Sequence, residues 1–378
     1  MATSRNPAGV ADIMHRYRQW GRTPCGSAGW AAKPAGQKVV IRMKVRFLRL
    51  CAIGLALILP LSACTSGVSG KAETGKTLVL SLNQSEDHPS YVALTDFGER
   101  LKAATDGRWD VKVYPNETLG AQQEVIQLVS DGSVDMAVAS GTQLENLNPH
   151  FGVLNLPTTF KSIDHQMKVI SDPSIVGDLF TSLEDSKHLT VLGGLTQGDR
   201  NLYTVSGPIK EPADLHGIKI RVQESDVHIA MINAMGGSAT PMSYGEVYTA
   251  LQSGVLDGAE NNEISYMTQH HNEVAKHVAR TRHLVGLDYM LINSETYNAM
   301  TPEDRKIFDA EWDQTMKMHT QLWKQETAQA ITEAKASGSK FNDVDEAAFA
   351  KALTPVVKAF LKSPADHELY DAIQEANQ

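Results

Sequence analysis

Along most of the chain the spacing of apolar positions alternates between two periods, and each change of period marks a new element. TLVLSL (77–82) reads as a strand, and behind it DHP opens a helix with Pro89 early and Leu94, Phe97 and Leu101 on one face. WDVKVYP (109–115) predicts a strand, AQQEVIQLVSDG (121–132) a helix and VDMAVAS (134–140) a buried strand. Helices are expected within 163–186. A strand LTVLGGL (189–195) follows, then RNLYTVS (200–206) as a separate extended stretch. In HGIKIRVQES (216–225), Ile218, Ile220 and Val222 share one strand face, and Lys219 and Arg221 share the other. Helices over 225–235 and 243–254 and a strand DGAEN (257–261) continue the series. Such alternation predicts an α/β fold with largely parallel strands covered by helices.

Two further patterns refine this. EVIQLVSDGSVD from Glu124 and EVYTALQSGVLD from Glu246 share Val after Glu, Gly eight residues on and Asp eleven residues on. This reads as a helix closed by a glycine and turned into a strand, used twice, and it points to two similar α/β halves. Near the C-terminus, residues 301–337 read as one helix, with Thr301 and Asp304 as a capping box and Pro302 at the first helical position. At 1.5 Å per residue it would span roughly 50 Å, enough to lie across both halves.

The N-terminal region has a different character. From Met43, Lys44, Arg46 and Arg49 precede a 12-residue apolar run, 50–61, that is too short to span a bilayer and ends in small residues. LSAC (61–64) resembles a bacterial lipobox, so Cys64 is the expected lipidation site, with a signal over 43–63. Residues 1–42 are expected to precede the true start at Met43, and 65–76 to form a linker. The three cysteines are Cys25, Cys51 and Cys64, so the rest of the chain offers no disulfide, thiolate metal site or cysteine nucleophile. Setting residues 1–64 aside also removes ten basic side chains and one acidic one. The remainder holds 25 basic against 43 acidic side chains, a net charge of −18. Such a surface repels nucleic acid and gives no polybasic hold on anionic lipid, so an anionic ligand needs local arginines.

Candidate chemistry is sparse. GKAETGKT (70–77) has P-loop spacing, but a linker precedes it and a strand follows, the reverse of what phosphate binding requires. His270, His271, His277 and His283 lie near one another without carboxylates at a metal-ligand spacing and read as surface histidines; no metal site is expected. In an α/β sheet, ligands sit beyond the carboxyl ends of strands. The residues there are Asn83 to His88, Ser140, Arg221 and Glu260 to Asn262, with Arg200 just past VLGGLTQGD. Two arginines, an Asn/Glu cluster and a tyrosine suit a small carboxylated or polyhydroxylated solute.

HPSYVAL, YPNETLGAQQEVIQLVSDGSVDMAV, LNLPTTF, PADLHGIKIRV, TPMSYGEVYTALQSGVLDGAENN and INSETY, in that order and spacing, resemble the extracytoplasmic solute receptors of TRAP transporters, the DctP family. The resemblance runs from about Thr77 to the C-terminus. It implies a two-domain, periplasmic-binding-protein-like clamshell that hinges shut on an organic acid, with a long domain-spanning C-terminal helix. It further implies delivery of the ligand to membrane permease subunits, and the chain is expected to act as a monomer without cofactor, metal or ATP. The expected division is 77–197 with 287–326 as one domain, and 198–286 with 327–378 as the other.

Residue by residue, Arg221 matches the arginine that bridges to the ligand carboxylate, Arg200 a second ligand arginine, Asn261 a ligand asparagine and Tyr244 an aromatic lining the pocket. Asn83, His88 and Asp288 align with cleft positions. Sialic-acid receptors of the family carry a glutamate where this chain has Ser140, which argues against sialic acid. GAENN, with Glu260 beside two carboxamides, looks like receptors for uronates and other sugar acids. The expectation is therefore a lipid-anchored receptor for a sugar acid. A C4-dicarboxylate or other small oxoacid is the alternative ligand. A secreted carbohydrate-active enzyme and a sensor presenting its ligand to a membrane kinase are the alternatives from other classes.

Overall fold

A computed structural model describes residues 75–377. Nine strands form one sheet: β1 (Lys76–Ser81), β2 (Trp109–Tyr114), β3 (Met136–Ser140), β4 (Leu189–Thr204), β5 (Lys219–Val222), β6 (Ser238–Pro241), β7 (Gly258–Asn261), β8 (His277–Asn293) and β9 (Lys340–Asn342). Their order is β2-β1-β3-β8-β4-β7-β5-β6, with β9 beside β8. The outer pairs are parallel, as the helix-strand alternation requires. The centre differs from expectation, because β8 runs antiparallel to β3 and β4, and β4 runs antiparallel to β7.

LTVLGGL and RNLYTVS, expected as separate pieces, are one 16-residue strand. The reason is a pair of glycines in the left-handed region, Gly193 (φ 139°) and Gly198 (φ 57°). They lie at two of the three register shifts against β8, between Val191 and Gly193 and between Thr196 and Asp199, the third falling between Arg200 and Leu202. The strand thus bends at these glycines without leaving the ladder. A Cβ at Gly198 would come within 2.3 Å of Trp323 Nε1, so the bulge also admits that indole.

The repeated helix-glycine-strand unit has the same hydrogen bonds in both copies. Asp131 N donates to Gln127 O, Gly132 N to Val129 O and Val134 N to Leu128 O; Ser253 N, Gly254 N and Leu256 N donate to Thr249 O, Leu251 O and Ala250 O. The aspartate closing each copy binds the neighbouring parallel strand. Asp135 Oδ2 accepts from Val79 N at 2.9 Å, and Asp257 Oδ2 from Lys219 N at 2.8 Å. One local sequence unit therefore builds the corresponding corner at each end of the sheet.

Separate apolar cores flank the two ends. At the β2-β1-β3 end, Leu78, Leu80, Phe97, Leu101 and Met290 meet Phe308 and Trp312 of the long helix. At the other end, Ile220, Val222, Met231, Phe349 and Leu353 form a second core. The long helix, Pro302–Ala336, is N-capped by Thr301, whose hydroxyl accepts from Asp304 N. It crosses β4, with Trp312 Nε1 donating to Leu192 O at 2.8 Å, and reaches the second end, where Trp323 and Ala330 pack on Ile264.

The helix Glu346–Phe360 packs on Asp226–Ala234 through Phe349 and Leu353. The last helix, Pro364–Glu375, packs mainly at the first end, with Tyr370 also against the second core. Ile373 joins the core of Val169, Leu179 and Tyr289, and Gln374 Nε2 donates to Thr159 O at 2.8 Å. Among the described residues, no helix is long and apolar enough to cross a membrane. Cys64, the signal segment and residues 1–42 lie outside the described residues.

Candidate ligand-binding site

Where the two ends of the sheet face each other, strand ends and bulges converge on a small polar cavity. Its lining comprises Asn83 and Gln84 after β1, Ser140 ending β3, Asp288 on β8, and Gln197 and Arg200 at the β4 bulge. From the other side come Arg221 on β5, Gln223 just after it, Asn261 ending β7 and Tyr244, with Gln122 completing the set. Ser140 and Asp288 are direct cross-strand partners, and so are Asn201 and Asn261. The cavity adjoins a wider mouth that shares Gln122, Arg221, Gln223 and Tyr244 and adds Glu117, Gln143 and Glu224.

Arg221 is 3% exposed, whereas Lys219 on the same strand face is exposed. Nε and Nη2 of Arg221 both donate to Met242 O, at 3.0 and 2.6 Å, and the guanidinium carbon lies 5.7 Å from the Tyr244 ring centroid. This uses two of the five N–H donors of an arginine, and Nη1 has no partner among the described residues. Burial pulls the Arg221 pKa below its ordinary value, against the attraction of Glu260.

Arg200 is committed elsewhere. Nε and Nη2 form a fork on Glu260, both at 2.6 Å; Nη2 also donates to Glu260 O and Nη1 to Asn261 Oδ1, each at 3.0 Å. Glu260 is 1% exposed and takes a further contact from His283 Nε2 at 3.3 Å, with His228 Nδ1 3.6 Å away. Burial by itself would raise the Glu260 pKa. The charge of Arg200, its hydrogen bonds and the polar contacts from His228 and His283 outweigh it and hold the group well below the usual carboxylate range. Arg200 and Glu260 therefore form an internally neutral pair, with Asn261 aligned by it. Asp288 is 4% exposed, and burial raises it to about 7 against the opposing pull of Arg200.

Seven of the nine residues proposed from sequence line this cavity: Asn83, Ser140, Arg200, Arg221, Tyr244, Asn261 and Asp288. Glu260 lies behind the wall, against Arg200. His88 is also behind it: fully buried, it caps the helix Pro89–Ala104 by accepting from Ser90 N at 3.2 Å, and its ring packs on Trp323. The surface reading of four nearby histidines is corrected at two of them. His271 is buried and bonded to Tyr203 Oη at 2.7 Å, and His283 is buried against Glu260 and Thr281. Both face polar partners that no local spacing reveals.

Of the four lining glutamines, Gln122, Gln197 and Gln223 were not anticipated, whereas Gln84 lies in the expected stretch from Asn83 to His88. Gln84 and Gln223 sit just past strand ends, where the same rule that flagged Asn83 applies to them. Several hydrogen bonds bridge the mouth. Tyr244 Oη donates to Gln84 Oε1 at 3.3 Å, Gly245 N to Glu117 Oε2 at 3.2 Å, Thr142 Oγ1 to Gln223 Oε1 at 2.5 Å and Gln123 Nε2 to Glu224 Oε2 at 3.0 Å.

The chain has clear relatives. The family described as bacterial extracellular solute-binding protein, family 7 (DctP), matches residues 80–363. A TRAP periplasmic solute-binding protein of Anaerococcus prevotii, solved with bound α/β-D-glucuronate, superposes with a TM-score of 0.77 at 36% identity, over 80% of this chain and 98% of that one. One from Xanthobacter autotrophicus, with bound β-D-galacturonate, gives 0.75 at 30% identity, over 79% and 99%. A solute-binding protein of Chromohalobacter salexigens is 33% identical over 291 residues, covering 76% of this chain and 86% of that protein. A fold with two parallel corners joined by antiparallel crossing strands, a buried arginine open to a polar cavity and this match along most of the chain lead to one conclusion: the protein belongs to the DctP family of TRAP transporter extracytoplasmic solute receptors.

Proposed function

We propose that this receptor captures a hexuronate or closely related sugar acid, with the ligand carboxylate on Arg221 and its hydroxyls on the amides of the cavity. The observation that carries this is the charge balance of the lining. Arg200 is spent on Glu260, so Arg221 alone offers an unpaired cationic edge, and most of the remaining wall is carboxamide and hydroxyl. One carboxylate and several hydroxyls match that wall, whereas a C4-dicarboxylate would need a second free cation. The glucuronate and galacturonate bound in the two related structures agree with this reading. Binding without turnover, a monomeric state, anchoring through Cys64 and delivery to membrane permease subunits complete the proposal.

We also propose a division into lobes 77–197 with 287–326 and 198–286 with 327–363, hinged where β4, β8 and the long helix cross, with the last helix returned to the first lobe. The bonds across the mouth belong to the closed form, in which groups from both lobes contact one ligand.

Titration calorimetry with D-glucuronate, D-galacturonate and succinate tests the ligand assignment. Arg221→Ala should cost roughly 2–5 kcal/mol of uronate affinity by leaving the carboxylate desolvated and unpaired. Arg221→Lys should also weaken binding, because it loses the planar fork. Lys219→Ala, on the exposed part of the same strand, should change affinity less than about threefold. Uronate binding that survives Arg221→Ala unchanged refutes the assignment.

A further inference from the structure

We propose that Asp288 is the specificity-determining residue of the cavity: its carboxylate accepts hydrogen bonds from ligand hydroxyls and excludes acids carrying a second carboxylate. This rests on the uronate reading above and names the group that selects within it.

Asp288 is buried in the cavity wall, beside Ser140 in the ladder, yet no described residue donates a hydrogen bond to its carboxylate. Its charged neighbours do not supply what is missing. Arg200 on β4 faces it but directs four hydrogen bonds to Glu260 and Asn261. Across the cavity stand Arg221, held by Met242 O, and Tyr244, whose hydroxyl donates to Gln84. Ser140 from β3 and the four glutamines carry no charge. A second acceptor of the same lining, Asn83 Oδ1, is likewise buried without a partner.

The cavity therefore has one cationic pole, Arg221, and one anionic pole, Asp288, with an extra unfilled acceptor at Asn83. A ligand satisfies this pattern with a carboxylate for Arg221 and O–H donors for Asp288 and Asn83. A second carboxylate would meet Asp288 with like charge in a site of low polarisability, where such pairs cannot both stay ionised. Discrimination then comes from a repulsive element as well as an attractive one.

Binding should also move protons. Burial raises Asp288 to about 7, so in this geometry the group is partly protonated at neutral pH. Hydroxyl donors favour the ionised form and release a proton to solvent. A diacid favours the protonated form, which donates to the second carboxylate, and so takes a proton up.

Titration calorimetry at pH 7 with D-galacturonate and galactarate reads both effects. Repeated at pH 9, where taking up a proton on Asp288 costs the diacid about 100-fold, the parent should prefer galacturonate by about that factor, and Asp288→Asn should cut the ratio to less than about tenfold. Because the same two ligands are compared in both proteins, the difference between ring and open chain cancels. In the parent, titrations in two buffers of different ionisation enthalpy should show proton release with galacturonate and uptake with galactarate, a test that holds even where the variant folds poorly. Unchanged discrimination in Asp288→Asn, or the same proton count for both ligands, overturns the role of Asp288 and leaves the uronate assignment standing. No binding of any uronate by the parent overturns both.

Discussion

Glu260→Gln is the substitution that best separates the architecture of the site from its occupancy. The parent carboxylate receives a two-pronged contact from Arg200 at 2.6 Å on each oxygen and a third contact from His283 at 3.3 Å. Glutamine keeps the shape and one acceptor oxygen but leaves the Arg200 cation without a counter-charge in a wall where that arginine is 3% exposed. Breaking a buried pair from one side costs about 3–5 kcal/mol. For a domain of this size that is a fall in melting temperature on the order of 10 °C.

The pH dependence has a definite sign. The folded Glu260 pKa is depressed, so its contribution is present above the unfolded value of about 4.3 and is lost as pH falls through the folded value. The gap between parent and variant should therefore be widest near neutral pH and close in acid. Since the variant frees Arg200, an anionic ligand should recover more stability in the variant than in the parent. Differential scanning calorimetry from pH 3 to 8, with and without D-glucuronate, measures all three effects. A variant melting within about 2 °C of the parent at pH 7 would refute the claim that Glu260 neutralises Arg200.

Three further outcomes are expected. Gly198→Ala should lower stability by about 1–3 kcal/mol, since it forces a left-handed backbone and a Cβ into the Trp323 indole; chemical denaturation measures it. Glu263 is buried, accepts from Asn201 Nδ2 at 3.0 Å, and is raised to about 7 chiefly by burial, so its contribution is full in acid and declines as pH rises through 7. Glu263→Gln should flatten that decline between pH 5 and 8 in thermal melts. Cys64→Ser should move the protein from the membrane fraction to the soluble extracytoplasmic fraction with ligand affinity unchanged, and retention in membranes would count against the anchor.

The legible parts of this fold are those set by local rules. The glycine-closed helix ends, the cap at Thr301 and the period-two face of Ile220 and Val222 all rest on residues within a few positions of one another. Arg221 was found because strand ends carry ligands, but depth was not readable: Lys219 has the same facing and is exposed. Glu260, His228, His283 and Arg200 come from four separate elements, and nothing in their spacing announces a single network. The union of LTVLGGL with RNLYTVS depended on two bulges whose partner, β8, lies some ninety residues on. Gly-Gly in a strand reads locally as an end, and only the tertiary ladder turns it into a kink.

The return of the last helix has a bearing on how the chain folds. Ile373 sits at 0% exposure in a core that also contains Val125, Val129 and Leu154, residues met more than two hundred positions earlier. That core stays open until the helix Pro364–Glu375 is available, so a growing chain cannot seal its first half as it emerges. The contacts completing it close very long loops, which slows folding and prolongs exposure of apolar surface. Truncation before Pro364 should therefore uncover the first core rather than trim a surface element.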